Sequence, residues 1–411
     1  MKKLENWQKS FFTIYIGQAF SLLSSSAVQF SIIWWITVQT GSALFLTMAS
    51  VVGLLPQAVI GPFAGIWIDR YNRKAIMIIA DIIVATSSLV LGIAFFWGIP
   101  SITFVYVVLF TRSLGETFHR PAMQAAIPQL VPKSELTKAG GLGQMVQSAC
   151  SMIGPMLGAL LMSITTLQYV MLIDIIGATL AVITLSLVKI SKHRVILGSK
   201  FNVIHDMKEG IKAIKSNEAL LRISIPMLIS TIILVPLGTL LPLMVKNYFN
   251  GTALHNGIVQ TLFASGMLIS AMVIGVTGGI KKQFLMISLG ILSLGMCSLI
   301  GGLLPASAFW IFCIVVFIMG TTGMISNIPY TAYIQKTIPQ ENLGKVISLV
   351  TSVMSFAAPI GMFIAGPVIE IIGISKWMIY AGILMLFVGV LSYLLTSEFD
   401  STIQIEDTIY E

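Results

Sequence analysis

Twelve long apolar runs separated by short polar turns dominate this sequence. They lie at about residues 11–37, 42–68, 75–97, 102–124, 139–163, 167–190, 219–248, 256–278, 284–304, 308–334, 345–371 and 375–397. A helix rising 1.5 Å per residue needs about 20 apolar residues to cross about 30 Å of hydrocarbon. Every run is long enough. In lipid each backbone N–H and C=O must be satisfied internally, and a continuous apolar run does so as a helix. Only 10% of the 411 residues are charged and 56% are hydrophobic, whereas a soluble domain carries about 25% charged residues. The mean hydropathy is +0.94. That composition excludes a cytosolic enzyme, a secreted domain and a disordered scaffold. The expected fold class is an all-α membrane protein with twelve transmembrane helices.

The net charge of +8 has a topological reading. Of the 24 Lys and Arg, all but Lys246, Lys376, Arg112 and Arg120 fall in, or at the edge of, segments on one side of this scheme. Positive residues accumulate on the cytoplasmic side. Both termini are therefore expected in the cytoplasm, and basicity reports orientation rather than a nucleic-acid partner. The seven tryptophans, Trp7, Trp34, Trp35, Trp67, Trp97, Trp310 and Trp377, all stand near run ends, where an amphipathic ring favours the interface. Cys150, Cys297 and Cys313 sit in apolar runs without ligand-like spacing and read as packing residues. Met1 to Lys9 is polar and lacks a small-residue cleavage site, so the first run is expected to stay.

The longest polar stretch divides the chain. Residues 1–190 read as an N-terminal six-helix bundle, 191–218 as a cytoplasmic amphipathic linker, 219–397 as a C-terminal six-helix bundle and 398–411 as an acidic cytoplasmic tail. In the linker Val203, Ile204, Met207, Ile211 and Ile214 recur at helical spacing, interrupted by His205, Lys208, Lys212 and Lys215. The halves share short patterns. Pro132, Leu136 and Lys138 before the fifth run match Pro339, Leu343 and Lys345 before the eleventh. Val59, Ile60, Gly61 and Gly65 match Val273, Ile274, Gly275 and Gly279. Duplicated halves around a central cavity are a recurring plan of secondary transporters.

Ionisable groups inside apolar runs are costly and usually face a cavity or a partner. Arg112, Glu116 and Arg120, spaced i, i+4, i+8, share one face of the fourth run and can form a self-neutralised ladder or a functional one. Asp81 and Asp174 are the other embedded carboxylates. Burial disfavours a charged carboxyl and so opens it to reversible protonation. Asp81, Arg112, Glu116 and Asp174 are the proton-coupling candidates, with Asp174 ranked ahead of Asp81; hydrogen bonding between runs is the plainer alternative. Gln18, Gln29, Gln147 and Asn327 are candidate cavity-lining residues. His119 reads as a packing residue and Glu370 as a solvated one. The 22 Met and 22 Phe provide a soft surface suited to a bulky ligand. Gly344, Lys345 and Val346 lack the remaining residues of a phosphate loop, and neither H-E-x-x-H nor C-x-x-C occurs. No catalytic residue, metal or cofactor is expected. An ion gradient or an ATP-binding partner must supply the energy.

Two motifs carry a family resemblance. The turn after the second run holds Gly65, Asp69, Arg70, Arg73 and Lys74, with Asn72 between them. The glycine allows close helix approach, Asp69 can cap the next helix, and the cations anchor the turn. The fifth run holds Gly141, Cys150, Gly154, Pro155, Gly158 and Ala159, in which Gly-Pro breaks a backbone hydrogen bond. These resemble the G-x-x-x-D-R-x-x-R-K signature and the antiporter motif of the major facilitator superfamily. Asn72, Cys150 and Ala159 replace glycines of those patterns. A basic loop that only sets topology, and a glycine-rich packing helix, remain the alternatives. The resemblance implies two pseudo-symmetric six-helix bundles, a cytoplasmic latch at Asp69, Arg70 and Arg73, and helix shaping by the fifth-run glycines. More narrowly, Gly17 to Leu22, Thr40 to Ala43, Met48 to Gly53, Arg73 to Met77 with Asp81, and Phe118 to Ala122 are similar to macrolide-efflux proteins of Gram-positive bacteria. That implies a monomeric, proton-coupled exporter of a bulky lipophilic drug in the bacterial cell membrane. A nutrient importer and a non-transporting receptor or scaffold are the rival readings.

Overall fold

The apolar runs fold as helices whose ends are set by residues in the intervening turns. The computed structural model describes residues 7–98, 101–132, 135–188, 203–277 and 282–410. In chain order the helices are α1 (Trp7–Thr40), α2 (Ala43–Arg70), α3 (Arg73–Trp97), α4 (Ile102–Leu130), α5 (Leu136–Ile164), α6 (Leu167–Leu187), α7 (Val203–Ser216) and α8 (Glu218–Thr239). A short α9 (Leu241–Leu243) runs on as a π-helical turn, Met244–Tyr248. Then come α10 (Ala253–Thr277), α11 (Gln283–Leu303), α12 (Phe309–Thr337), α13 (Gln340–Ile372) and α14 (Ile374–Tyr410).

Eleven of these helices are long and apolar enough to cross a membrane among the described residues. The twelfth expected span, α4, has 29 residues and so has the length. It falls short on composition because Arg112, Glu116, His119 and Arg120 interrupt it. Its place among the spans comes from packing instead: α4 lies along α3 and buries Arg112 there.

Caps account for several boundaries. Asn72 has extended backbone angles (φ −68°, ψ 112°), and its side chain accepts the Lys74 N–H at 3.0 Å, starting α3. This corrects the expectation that Asp69 caps that helix. α2 continues through Arg70, so Asp69 lies in its last turn and a cap must come from a later, non-helical residue. The side chains of Gly65, Asp69 and Arg70 lie outside the described residues, as do Gly279, Met1 to Asn6 and the linker before Val203. Ser101 and Asn217 cap α4 and α8 in the same way, accepting N–H groups at 3.3 and 2.9 Å. Gly373, at φ 86°, makes the sharp turn from α13 to α14, a left-handed conformation that disfavours a side chain.

The chain forms two compact units. One comprises Met1–Gly41, Ala49–Ser199 and Thr252–Gly257; the other comprises Ser42–Met48, Lys200–Gly251 and Ile258–Glu411. Their internal packing follows one plan. In the first unit α1 packs on α5 and α6, and α3 packs on α4 and α6. In the second, α8 packs on α13 and α14, and α11 packs on α12 and α14. Two short pieces depart from a simple division at the linker. Ala253 and Leu254 pack with Phe30, Trp34 and Ala159 in the first unit. In the second, Ser42 Oγ and the Ala43 and Leu44 N–H groups donate to the Glu370 carboxylate at 2.9, 2.9 and 3.3 Å. Glu370 therefore caps α2, where a merely solvated residue was expected.

The polar linker contributes α7, which lies on α13: Gly210 packs on the Lys345 backbone and Glu209 pairs with the Lys345 ammonium. α14 runs without a break into the expected tail. Asp400 accepts the Phe284 and Leu285 N–H groups at 3.0 and 2.8 Å, and Glu398 pairs with Arg222 at 2.6 Å.

Candidate functional site

The first unit buries a polar network inside otherwise apolar helices, arranged on two levels. On α1, Gln18 and Ser25 are seven residues apart; so are Asp81 and Ser88 on α3, and Arg112 and His119 on α4. Seven residues are nearly two turns, so each helix presents both of its polar groups on one face, about 10 Å apart. The levels are built from the same three helices, and α6 adds Asp174 to one of them.

At the first level Asp81 is 5% exposed. Gln18 Nε2 donates to it at 3.3 Å and Ser21 Oγ at 3.5 Å. His119 Nε2 approaches Asp81 Oδ1 to 3.5 Å, outside hydrogen-bond alignment. At the second level Asp174 is completely buried. It accepts hydrogen bonds from Ser25 and Ser88 at 2.7 Å and from Ser24 at 3.3 Å, and it forms an ion pair with Arg112 Nη1. Arg112 is 1% exposed and also reaches Ser88. A buried charge survives only when paired and hydrogen-bonded, and Asp174 is both. The two carboxylates thus differ in kind. Asp174 is clamped, while Asp81 sits among long, weak contacts.

Of the four proton-coupling candidates, the structure places Asp81, Arg112 and Asp174 in this network. Glu116 is exposed, and Arg112 bonds across to α6 instead of down its own helix. Arg112 is thus tied first to Asp174, while Arg112 and Arg120 still act electrostatically on Glu116. Gln18 belongs to the buried network rather than to an open cavity wall; Gln29 and Asn327 are exposed, and Gln147 is half-buried. His119, read from sequence as packing, stands beside Asp81. Ser21, Ser24, Ser25 and Ser88 were missed. For Ser25 and Ser88 the signal was a seven-residue spacing from Gln18 and Asp81; Ser21 and Ser24 had none of that kind.

The turn motif and the α5 motif are anchored by backbone contacts. Arg73 donates to the Ala125 carbonyl at 2.8 Å, tying α3 to the end of α4. Lys74 donates to the Ser186 and Val188 carbonyls at 2.9 and 2.8 Å, tying it to the end of α6. On α5, a Cβ added at Gly154 would strike Ser26, and one at Gly158 would strike the Ala27 carbonyl, so these glycines set the α1–α5 approach. Cys150 is buried with its thiol 3.5 Å from the Ala19 carbonyl. Gly141 differs: it is exposed, with nothing within 4 Å of its Cβ position.

Comparison with known proteins accords with this geometry. A family model described as the Major Facilitator Superfamily matches residues 14–357 and 223–406. The chain belongs to the major facilitator superfamily. It is 39% identical over 395 residues to Macrolide efflux protein A of Streptococcus pyogenes, covering 95% of this chain and 96% of that one. It is 40% identical over 327 residues to the protein of the same name from Enterococcus faecalis, covering 78% and 100%. Among solved structures, a bacterial homologue of the human lysosomal transporter Spinster, inward-facing and unoccupied, superposes with a TM-score of 0.72. It is 11% identical and covers 96% of this chain and 97% of that one. That last likeness concerns the fold alone. A superfamily member with eleven helices apolar enough to span, plus α4, is a multi-pass membrane transporter that takes a small-molecule substrate.

Proposed function

We propose that this transporter exports a bulky lipophilic drug, macrolides included, across the bacterial cell membrane in exchange for protons, by alternating access. The cargo reading rests on one observation: similarity along nearly the whole chain, at 39% identity, to Macrolide efflux protein A of Streptococcus pyogenes. The coupling reading rests on the two-level network. A proton placed on Asp174 would have to break its pairing with Arg112 and three serines, whereas one placed on Asp81 disturbs only contacts of 3.3–3.5 Å. Asp81, with His119 as its neighbour, is therefore the better proton carrier, which reverses the order read from sequence. Arg112 and Asp174 are assigned the role of a fixed anchor.

In this reading both termini are cytoplasmic, as the lysine bias requires. Asp69, Arg70 and Arg73 latch one access state at the cytoplasmic face. The protein works as a monomer driven by the proton gradient, and assistance by an ATP-binding partner is the rival energy source. The test is a drug-susceptibility panel on cells expressing the chain, with and without an uncoupler. Raised macrolide tolerance that the uncoupler abolishes is expected. Unchanged susceptibility in cells that insert the protein would refute export, and tolerance that survives the uncoupler would refute proton coupling.

A further inference from the structure

We propose that α7 is an interfacial strap that binds anionic lipid headgroups of the leaflet beside it through Lys208, Lys212 and Lys215. Its neighbours set its depth. A single residue, Asn217, separates α7 (Val203–Ser216) from the span α8. Midway along α7, a Cβ added at Gly210 would lie 3.3 Å from the Lys345 carbonyl and 3.5 Å from the Leu349 side chain. Both residues fall within the part of α13 that is apolar enough to span, Asn342–Ile372. α7 therefore runs at the level where two spans leave the hydrocarbon. Gly210 and the Glu209–Lys345 pair fix it to α13, so whatever holds α7 also holds the start of that span.

The faces of α7 follow from a turn of about 100° per residue. With Met207 at zero, Ile211 stands at about 40°, and Lys215, Lys208 and Lys212 at about 80°, 100° and 140°. Met207 and Ile211 are 48% and 40% exposed, and the three lysines are exposed as well. The inward side begins at Glu209, about 200° round, and continues through Ala213 and Gly210 to Ile214 at about 340°; all four are buried or half-buried. Glu209 is paired there with Lys345. Lys208, Lys212 and Lys215 make no hydrogen bond or ion pair among the described residues. An apolar edge bordered by a basic one is the pattern of a helix lying in a membrane interface. Met207 and Ile211 enter the acyl boundary, and the lysines lay their stems along it and carry their ammonium groups to the phosphates. An anionic leaflet complements both edges at once: it takes the apolar side chains and supplies the negative charge that this face of α7 lacks.

The test uses the full-length protein in nanodiscs, with a bimane fluorophore attached through Ile211→Cys. Cys150, Cys297 and Cys313 are buried, so the label goes to the introduced thiol. The discs hold equal parts of phosphatidylglycerol (anionic) and phosphatidylcholine (zwitterionic), with the acyl chains of one or the other brominated to quench the label. Quenching by the brominated phosphatidylglycerol is expected to dominate. Each single change, Lys208→Gln, Lys212→Gln or Lys215→Gln, should lower that preference by up to about fivefold. The three Gln changes together should abolish it and leave equal quenching by both lipids, whereas the three changes to Arg should keep it. Raising the salt to about 0.5 M should weaken it, because exposed charges are screened. Thermal unfolding in lipid-free detergent checks that the triple variant folds, and the single variants decide the matter if it does not. The proposal is overturned if neither lipid quenches the label, which would put this face of α7 against water or a protein. It is equally overturned if both lipids quench alike with the lysines intact, or if the preference survives their replacement by Gln.

Discussion

Arg112 on α4 pairs with Asp174 on α6, and Glu116, one turn along the same helix as Arg112, stays outside that pair. Breaking a buried pair leaves one charge uncompensated, at a cost of about 3–5 kcal/mol, whereas replacing both partners by apolar groups is close to neutral. Arg112→Met and Asp174→Leu are each expected to lower thermal stability strongly in detergent. The double variant should recover most of the loss. Additive losses in a double-mutant cycle would show that the two residues do not act as a pair.

The contrast between the two carboxylates gives a second prediction. Asp81→Asn keeps the shape of its site and can still be met by Gln18 and Ser21. It is expected to retain folding and drug counterflow yet lose gradient-driven accumulation. Counterflow and accumulation measured on the same vesicles check this. Loss of both together would make Asp81 structural.

The α5 glycines differ in ways their motif does not reveal. Gly154→Ala and Gly158→Ala each push a Cβ into α1, at Ser26 and Ala27, and overpacking of this kind costs about 1–3 kcal/mol. Gly141→Ala meets open space and should change stability by no more than about 0.5 kcal/mol. Thermal unfolding of the three variants ranks them.

Glu370 supplies from another helix what an N-terminal cap supplies within one. Glu370→Ala should cost about 1 kcal/mol, the usual value of a lost cap. Local fraying is the sharper signature. Amide hydrogen exchange at Ala43 and Leu44 should quicken while exchange at mid-α2 does not change.

Much of the architecture was legible because hydropathy periodicity is set by the bilayer and needs no tertiary knowledge. Asp81, Arg112 and Asp174 stood out for the same reason, since charge is rare in such helices. Their partners did not. Ser24, Ser25 and Ser88 are ordinary in an apolar helix until a second helix brings a carboxylate to them. Arg112 illustrates the limit: spacing along one helix favoured Glu116, but the buried Asp174 on α6 captured it. Asp69 and Asn72 show a local version, where the exact end of α2 decided which residue could cap α3. Glu370 was out of reach altogether, because nothing near it in sequence announces the free N–H groups of α2.

The most direct test of the account is solute movement by the purified chain in liposomes under an imposed proton gradient. Wild-type protein should move a macrolide against its concentration gradient, with protons moving the opposite way, and Asp81→Asn should abolish that accumulation while leaving counterflow. Accumulation that is indifferent to the proton gradient, or unaltered in Asp81→Asn, would contradict it.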